Sequence, residues 1–169
     1  MPCLGMIKAF AVVLLIRLSL SFPTSTHEKV KPLLPRADGC FASTFGLTDF
    51  KTFSGSDTLP ASISFRLSAD DAPGAYSCMW NGGPGSTSPY FNDPVPCNMT
   101  DLPTFSFSYP EQGRLRVAEV EACSYPGQLH RSVADGSVAL FCYPIFGGQT
   151  CMTPTGQASL DVNQREIVS

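Results

Sequence analysis

The stretch YSCMWNGGPGSTSPYFNDPVPCNMTDLPTFSFSY, residues 76–109, decides the fold of this chain. An extended run enters at Tyr76-Ser77-Cys78. A loop follows with Gly82, Gly83, Pro84, Gly85, Pro89, Pro94 and Pro96. Glycine and proline at that density set turns rather than hold a regular element. Cys97 ends the loop, and Thr104-Phe105-Ser106-Phe107-Ser108-Tyr109 leaves it as an alternating strand, with both phenylalanines and the tyrosine on one face. A covalent bridge from Cys78 to Cys97 across the base of such a loop is the expected remedy for its weak local order.

A bridge needs an oxidising compartment, and the N-terminus supplies the address. Lys8 gives a positive region, Ala9 to Ile16 an apolar run, and Ser19-Leu20-Ser21 a small-x-small cleavage pattern. Residues 1–21 therefore read as a secretory signal segment, and the protein is expected outside the cell. The apolar run is too short to span a bilayer, Arg17 interrupts it, and no later stretch is long enough. Cys3 leaves with the signal, so seven cysteines become six, which reads as three disulfides with 15 pairings open in principle. Lys8 and Arg17 leave too; nine basic residues of the original 11 then face 14 acidic ones, a net charge of −5. That balance argues against nucleic acid or an anionic membrane surface as partner. Residues 22–39 carry Pro and Lys without any period and read as a disordered lead or short pro-segment, with His27 inside it and Pro35-Arg36 as a candidate processing site. The remaining residues, 40–169, suit one domain.

Within that domain the period is two. Phe45 and Leu47 alternate with polar neighbours in a first strand ending near Phe53. Ser62 to Ser68 is the cleanest strand, with Ile63, Phe65 and Leu67 on one face. Asp70-Asp71-Ala72-Pro73-Gly74 turns the chain into the opening stretch. Pro110-Glu111-Gln112-Gly113 predicts a hairpin turn, and Leu115 to Ala122 pairs back, with a parity shift near Ala118 that suggests a β-bulge. Ser124 to Asp135 is expected as a loop, Ser137 to Tyr143 as a central strand, Gly147-Gly148 as a tight return, and Gln157 to Val162 as a last strand. No segment shows a helical period. The expected fold is all-β: a single compact antiparallel β-barrel or sandwich stapled by about three disulfides. Cys142 and Cys151 bracket an expected hairpin loop and are paired on that ground. Cys78 pairs with Cys97, and Cys40 with Cys123 by what remains, although sequence alone does not fix connectivity.

The chemical inventory is thin. His130, in Leu129-His130-Arg131-Ser132 with Asp135 nearby, is the one histidine inside the expected domain. A Ser/His/Asp site needs a spatial match that spacing does not show, and a surface loop histidine is the plainer reading. Glu119 and Glu121 share a strand face; such acids can work as a pair in glycoside hydrolysis but more often form a solvated face. Arg114 and Arg116 lie on the other parity and offer charge to a neighbouring strand. No metal-ligand spacing is present, and cysteines held in disulfides cannot act as ligands; no cofactor is implied. Asn98-Met99-Thr100 is an N-glycosylation sequon. Trp80, Tyr90 and Phe91 sit in or beside the tethered loop, where they either anchor a partner or fold back as a lid on the core.

The order of these features resembles one family. A strand-borne cysteine, a loop, a second cysteine and an FSFSY-type strand are similar to the Alternaria major-allergen-like family of small fungal secreted proteins. Phe141-Cys142, Thr150-Cys151 and Ala158-Ser159-Leu160-Asp161-Val162 resemble its closing hairpin and last strand, and Phe45-Gly46-Leu47-Thr48-Asp49-Phe50 its start. The resemblance covers roughly residues 40–168. It implies a compact β-barrel with two intramolecular disulfides, here Cys78–Cys97 and Cys142–Cys151, and no enzymatic chemistry. Disulfide-linked dimers in the family use an extra N-terminal cysteine; Cys40 has an internal partner to hand in Cys123, so a monomer or weak homodimer is expected here. The Cys78–Cys97 loop is long for the family and carries its own aromatics. The function implied is that of a secreted non-enzymatic effector, elicitor or allergen that binds a host extracellular protein or a small ligand. Two alternatives stand beside it: a cell-wall glycan-binding module using Trp80 and Tyr90, and a small secreted hydrolase using His130 or the Glu119/Glu121 pair.

Overall fold

The computed structural model describes residues 41–70, 74–98, 103–122 and 128–168. All of them fall in one compact unit, Leu33–Ser169. The expected signal segment and lead, and the Cys40–Cys123 pairing, lie outside the described residues.

Two antiparallel sheets face each other. The first holds β1 (Thr44–Phe53), β2 (Ser62–Ala69), β3 (Tyr76–Asn81), β8 (Phe141–Ile145), β9 (Gly148–Met152) and β10 (Gln157–Asp161). Its order is β3-β2-β1-β9-β8, and β10 pairs with the first half of β1. The second runs β11-β7-β6-β5-β4, from β4 (Phe91–Pro96), β5 (Thr104–Glu111), β6 (Arg114–Ala122), β7 (Leu129–Ser137) and β11 (Gln164–Val168). The expected all-β sandwich is what forms.

Aromatic rings from the two inner faces interlock. Phe65 meets Phe107 edge-on at 4.9 Å between ring centroids, Phe45 meets Phe105 at 6.1 Å, and Phe50 meets Tyr109 at 6.0 Å. All six are at most 3 % exposed. Each such residue contributes roughly 1.5–3 kcal/mol by leaving water. One strand changes parity and still keeps its inward face. β1 directs Phe45 and Leu47 inward, then Asp49 takes a φ of 55° and the register with β2 shifts between Thr48 and Lys51. Phe50 and Thr52 point inward as a result. An extra residue that re-aims a strand is the work of a β-bulge.

The bulge expected at Ala118 is not there. β6 pairs with β7 in unbroken register from Arg114 to Ala122, and the shift between β5 and β6 lies at Ser108/Glu111 instead. What looked like a parity change is an inner face that stays in step while changing chemistry: Leu115 and Val117, then Glu119. Two further expectations are corrected. Leu129–Ser137 is a strand, not a loop, because its inward row starts with the polar residues His130 and Ser132, which hide the period. Ser137–Tyr143 is not a central strand: it divides between the end of β7, a connection through Val138, and the edge strand β8. Val138 is 4 % exposed and its N–H donates to the Gly113 carbonyl at 2.6 Å, so its apolarity serves a plug and not a strand face. β4 was hidden by Pro94 and Pro96, which an edge strand tolerates.

Candidate functional site

Three regions compete for a role, and each follows from local sequence. The first is the long loop. Cys78 at the inner face of β3 is bonded to Cys97, just past β4, with their Cα atoms 4.3 Å apart. The bridge ties the edge strand of one sheet to the edge strand of the other. Asn98 N–H donates to the Ser77 carbonyl at 3.1 Å beside it. Trp80 stacks on Phe91 at 4.8 Å with ring planes 23° apart, and Phe91 meets Phe107 edge-on at 5.5 Å. Both rings are half-buried against the core. Of the three aromatics singled out, Tyr90 alone is well exposed, at 44 %, with its ring 5.6 Å from that of Tyr109. Asn98 is exposed; the rest of its sequon lies outside the described residues.

The second region is the polar end of the inner face. Register places Glu119 opposite Ser132 and Ser132 opposite Arg165, and it places Glu121 opposite His130. Glu119, Glu121, His130 and Ser132 are therefore brought onto one face, while Asp135 lies on the other. The expectation that the two acids form a solvated face is corrected, since Glu119 is 2 % exposed. Ser132, equally buried, accepts the Ala42 N–H on its Oγ at 3.0 Å. Arg165 donates to the Ala42 carbonyl at 3.3 Å, and the Phe41 ring lies 4.6 Å from that of His130. These groups thus hold the segment before β1 against β7 and β11. On the outer face Arg114 grips Asp135 of β7 with one edge of its guanidinium, Nε at 3.0 Å and a terminal nitrogen at 3.3 Å. That pairing raises the guanidinium's proton affinity further and matches the cross-strand charge role expected of Arg114.

The third region is the hairpin whose cysteines and Gly147-Gly148 return the sequence shows, but whose tip at Phe146 it does not single out. Cys142 and Cys151, opposite each other on β8 and β9, are bonded with Cα atoms 4.0 Å apart. The hairpin they brace turns through Phe146 and Gly147, with φ of 48° and 77°. Such a two-residue turn wants Asn, Asp or Gly at its first position. A bulky residue there costs about 1 kcal/mol, and Phe146 is also 78 % exposed. Its ring walls a groove of about 420 Å³ whose other side is Ser54, Ser56, Asp57, Thr58 and Thr87. A phenylalanine immediately before Gly147-Gly148 was the signal available in the sequence. Among the described residues no group of three His, Cys, Asp or Glu side chains is placed to hold a metal ion.

These features define the class: a two-sheet antiparallel sandwich whose edges are stapled by disulfides. No protein-family model matches the chain, and no curated relative matches it. Solved structures do. A crystal structure of the Alternaria alternata allergen Alt a 1 is similar to it with a TM-score of 0.51 and 12 % identity, over 79 % of this chain and 95 % of that one. A second, of the Alternaria alternata major allergen Alt a 1, gives a TM-score of 0.48 and 9 % identity over 72 % and 93 %. The chain has an Alt a 1-like fold.

Proposed function

We propose that this protein acts outside the cell as a non-enzymatic binding protein of the fungal allergen or effector type, engaging a host protein or a small ligand. The observation that carries the reading is the likeness to Alt a 1 over 79 % of the chain, in a sandwich whose described residues hold one disulfide between the sheets and one within a sheet. Disulfides persist in oxidising compartments, and the pattern of residues 1–21 supports export. The hydrolase alternative is disfavoured by a positive use of its residues. Ser132 is buried with its hydroxyl accepting a backbone N–H, and Glu119 is buried in the same row. A nucleophile needs a reachable oxygen beside its base.

Immobilised protein exposed to host extracellular fluid tests the binding half. It should retain a discrete host component that Tyr90→Ala or a surface variant elsewhere weakens without unfolding the protein. The enzymatic half is tested with ester and glycoside substrates. Turnover that Ser132→Ala or Glu119→Gln abolishes, in variants that remain folded, would overturn the reading.

A further inference from the structure

We propose that the groove beside Phe146 is a binding subsite for a short stretch of neutral, hydroxyl-rich glycan, an assignment that rests on the extracellular binding role above. The groove pairs one exposed aromatic face with a wall of hydroxyls and a single carboxylate. An aromatic face takes the apolar face of a sugar ring. Hydroxyls both donate and accept, and a carboxylate accepts from sugar hydroxyls. No lysine or arginine lines the groove, which turns away phosphate and sulfate esters, since these need a cation. The volume, about 420 Å³, falls within the roughly 300–1,000 Å³ of small-ligand sites.

The groove is also held ready. Ser54 N–H donates to the Gln149 carbonyl at 2.8 Å, and the Ser54 hydroxyl receives the Gln149 N–H at 2.8 Å, so the polar wall is tied to the hairpin. Ser56 N–H donates to the Leu59 carbonyl at 2.7 Å, and Ala61 N–H to the Ser86 carbonyl at 2.8 Å. Gly55 has a φ of 74° and leaves no room for a Cβ against the Ala61 nitrogen, 2.8 Å away. A preorganised wall lowers the entropy cost of binding. Phe146 meanwhile sits in a backbone conformation that its side chain disfavours, and its ring is not buried. An anchor explains both features, because strained positions collect at ligand sites.

The test is retention of the secreted, disulfide-intact protein on insoluble β-1,3-glucan and chitin, as fungal-wall sources, and on cellulose and xylan, as plant-wall sources. Calorimetric titration with the matching soluble oligosaccharide follows. The expected result is retention on at least one arm, weakened at least ten-fold by Phe146→Ala and by Asp57→Ala. Phe146→Asn separates binding from folding, because asparagine suits the first turn position. It should keep or raise the thermal midpoint while losing retention. Wild-type protein retained on none of the four glycans, or Phe146→Asn retained as well as wild type, overturns the site. A protein that captures a host component yet ignores all four glycans defeats this subsite and leaves the binding role standing.

Discussion

The two disulfide-braced loops treat their aromatic residues in opposite ways. The longer one, with a sequence separation of 19 between its cysteines, ties one sheet to the other and folds Trp80 and Phe91 onto the core. The shorter one, with a separation of 9, joins neighbours within one sheet and pushes Phe146 into solvent. Length is not what decides whether a loop's aromatic side chains are exposed here. The long loop is part of the sandwich's closure, and Trp80 and Phe91 pack half-buried against the core, with Tyr90 left exposed. The short hairpin is already closed by its own strand pairing, so its tip is left over for something else.

Removal of each bridge should break the comparison hardest. In the chain-entropy model, replacing Cys78 and Cys97 together by alanine costs about 3 kcal/mol, and the Cys142/Cys151 pair costs about 0.7 kcal/mol less because its loop is shorter. Urea unfolding of the two double variants measures the difference. Equal costs, or a larger loss for the hairpin, would contradict the assignment of closure to the long loop. Single truncations come next. Trp80→Ala should lose about 2 kcal/mol, in line with a large side chain partly removed from a packed stack, whereas Phe146→Ala should stay within about 0.5 kcal/mol as an exposed site.

A smaller effect sharpens what lies beneath the long loop. Burial pushes the Tyr109 hydroxyl above its ordinary range near 10.0, against the lowering effect of the hydrogen bond from Gly113 N–H at 2.8 Å. A raised folded value means that the unfolded chain loses this proton first. The stabilisation is full below about pH 10 and is lost as pH rises through the folded value. Stability should therefore fall with pH in the alkaline range, and Tyr109→Phe should flatten that fall while costing about 1 kcal/mol at neutral pH for the unpaired Gly113 N–H. A slope unchanged in the variant would assign the alkaline loss to another group.

Much of the fold was legible because apolar residues and inward positions coincide. β2 is the clearest case, with Ile63, Phe65 and Leu67 all at most 3 % exposed. β5 is another, and the FSFSY pattern led to the right fold. Legibility failed where the two parted. Glu119 and Ser132 occupy inward positions with polar side chains, so one strand looked bulged and another looked like a loop. Gln164–Val168 is exposed along its whole length and carries no burial pattern to read. β4 hides behind prolines that only an edge position permits. The groove at Phe146 depends on a hairpin tip meeting a loop some 90 residues away in sequence, as the Ser54–Gln149 hydrogen bonds show, and no local pattern announces such a meeting.

The most direct test of the whole reading is to express the full chain in a secreting fungal host and assay the culture medium and the cells for the protein and its free thiols. The expected result is protein in the medium that lacks the first 21 residues or so, with no thiol reactive after denaturation until a reductant is added. Protein retained inside the cells with its cysteines reduced would contradict it.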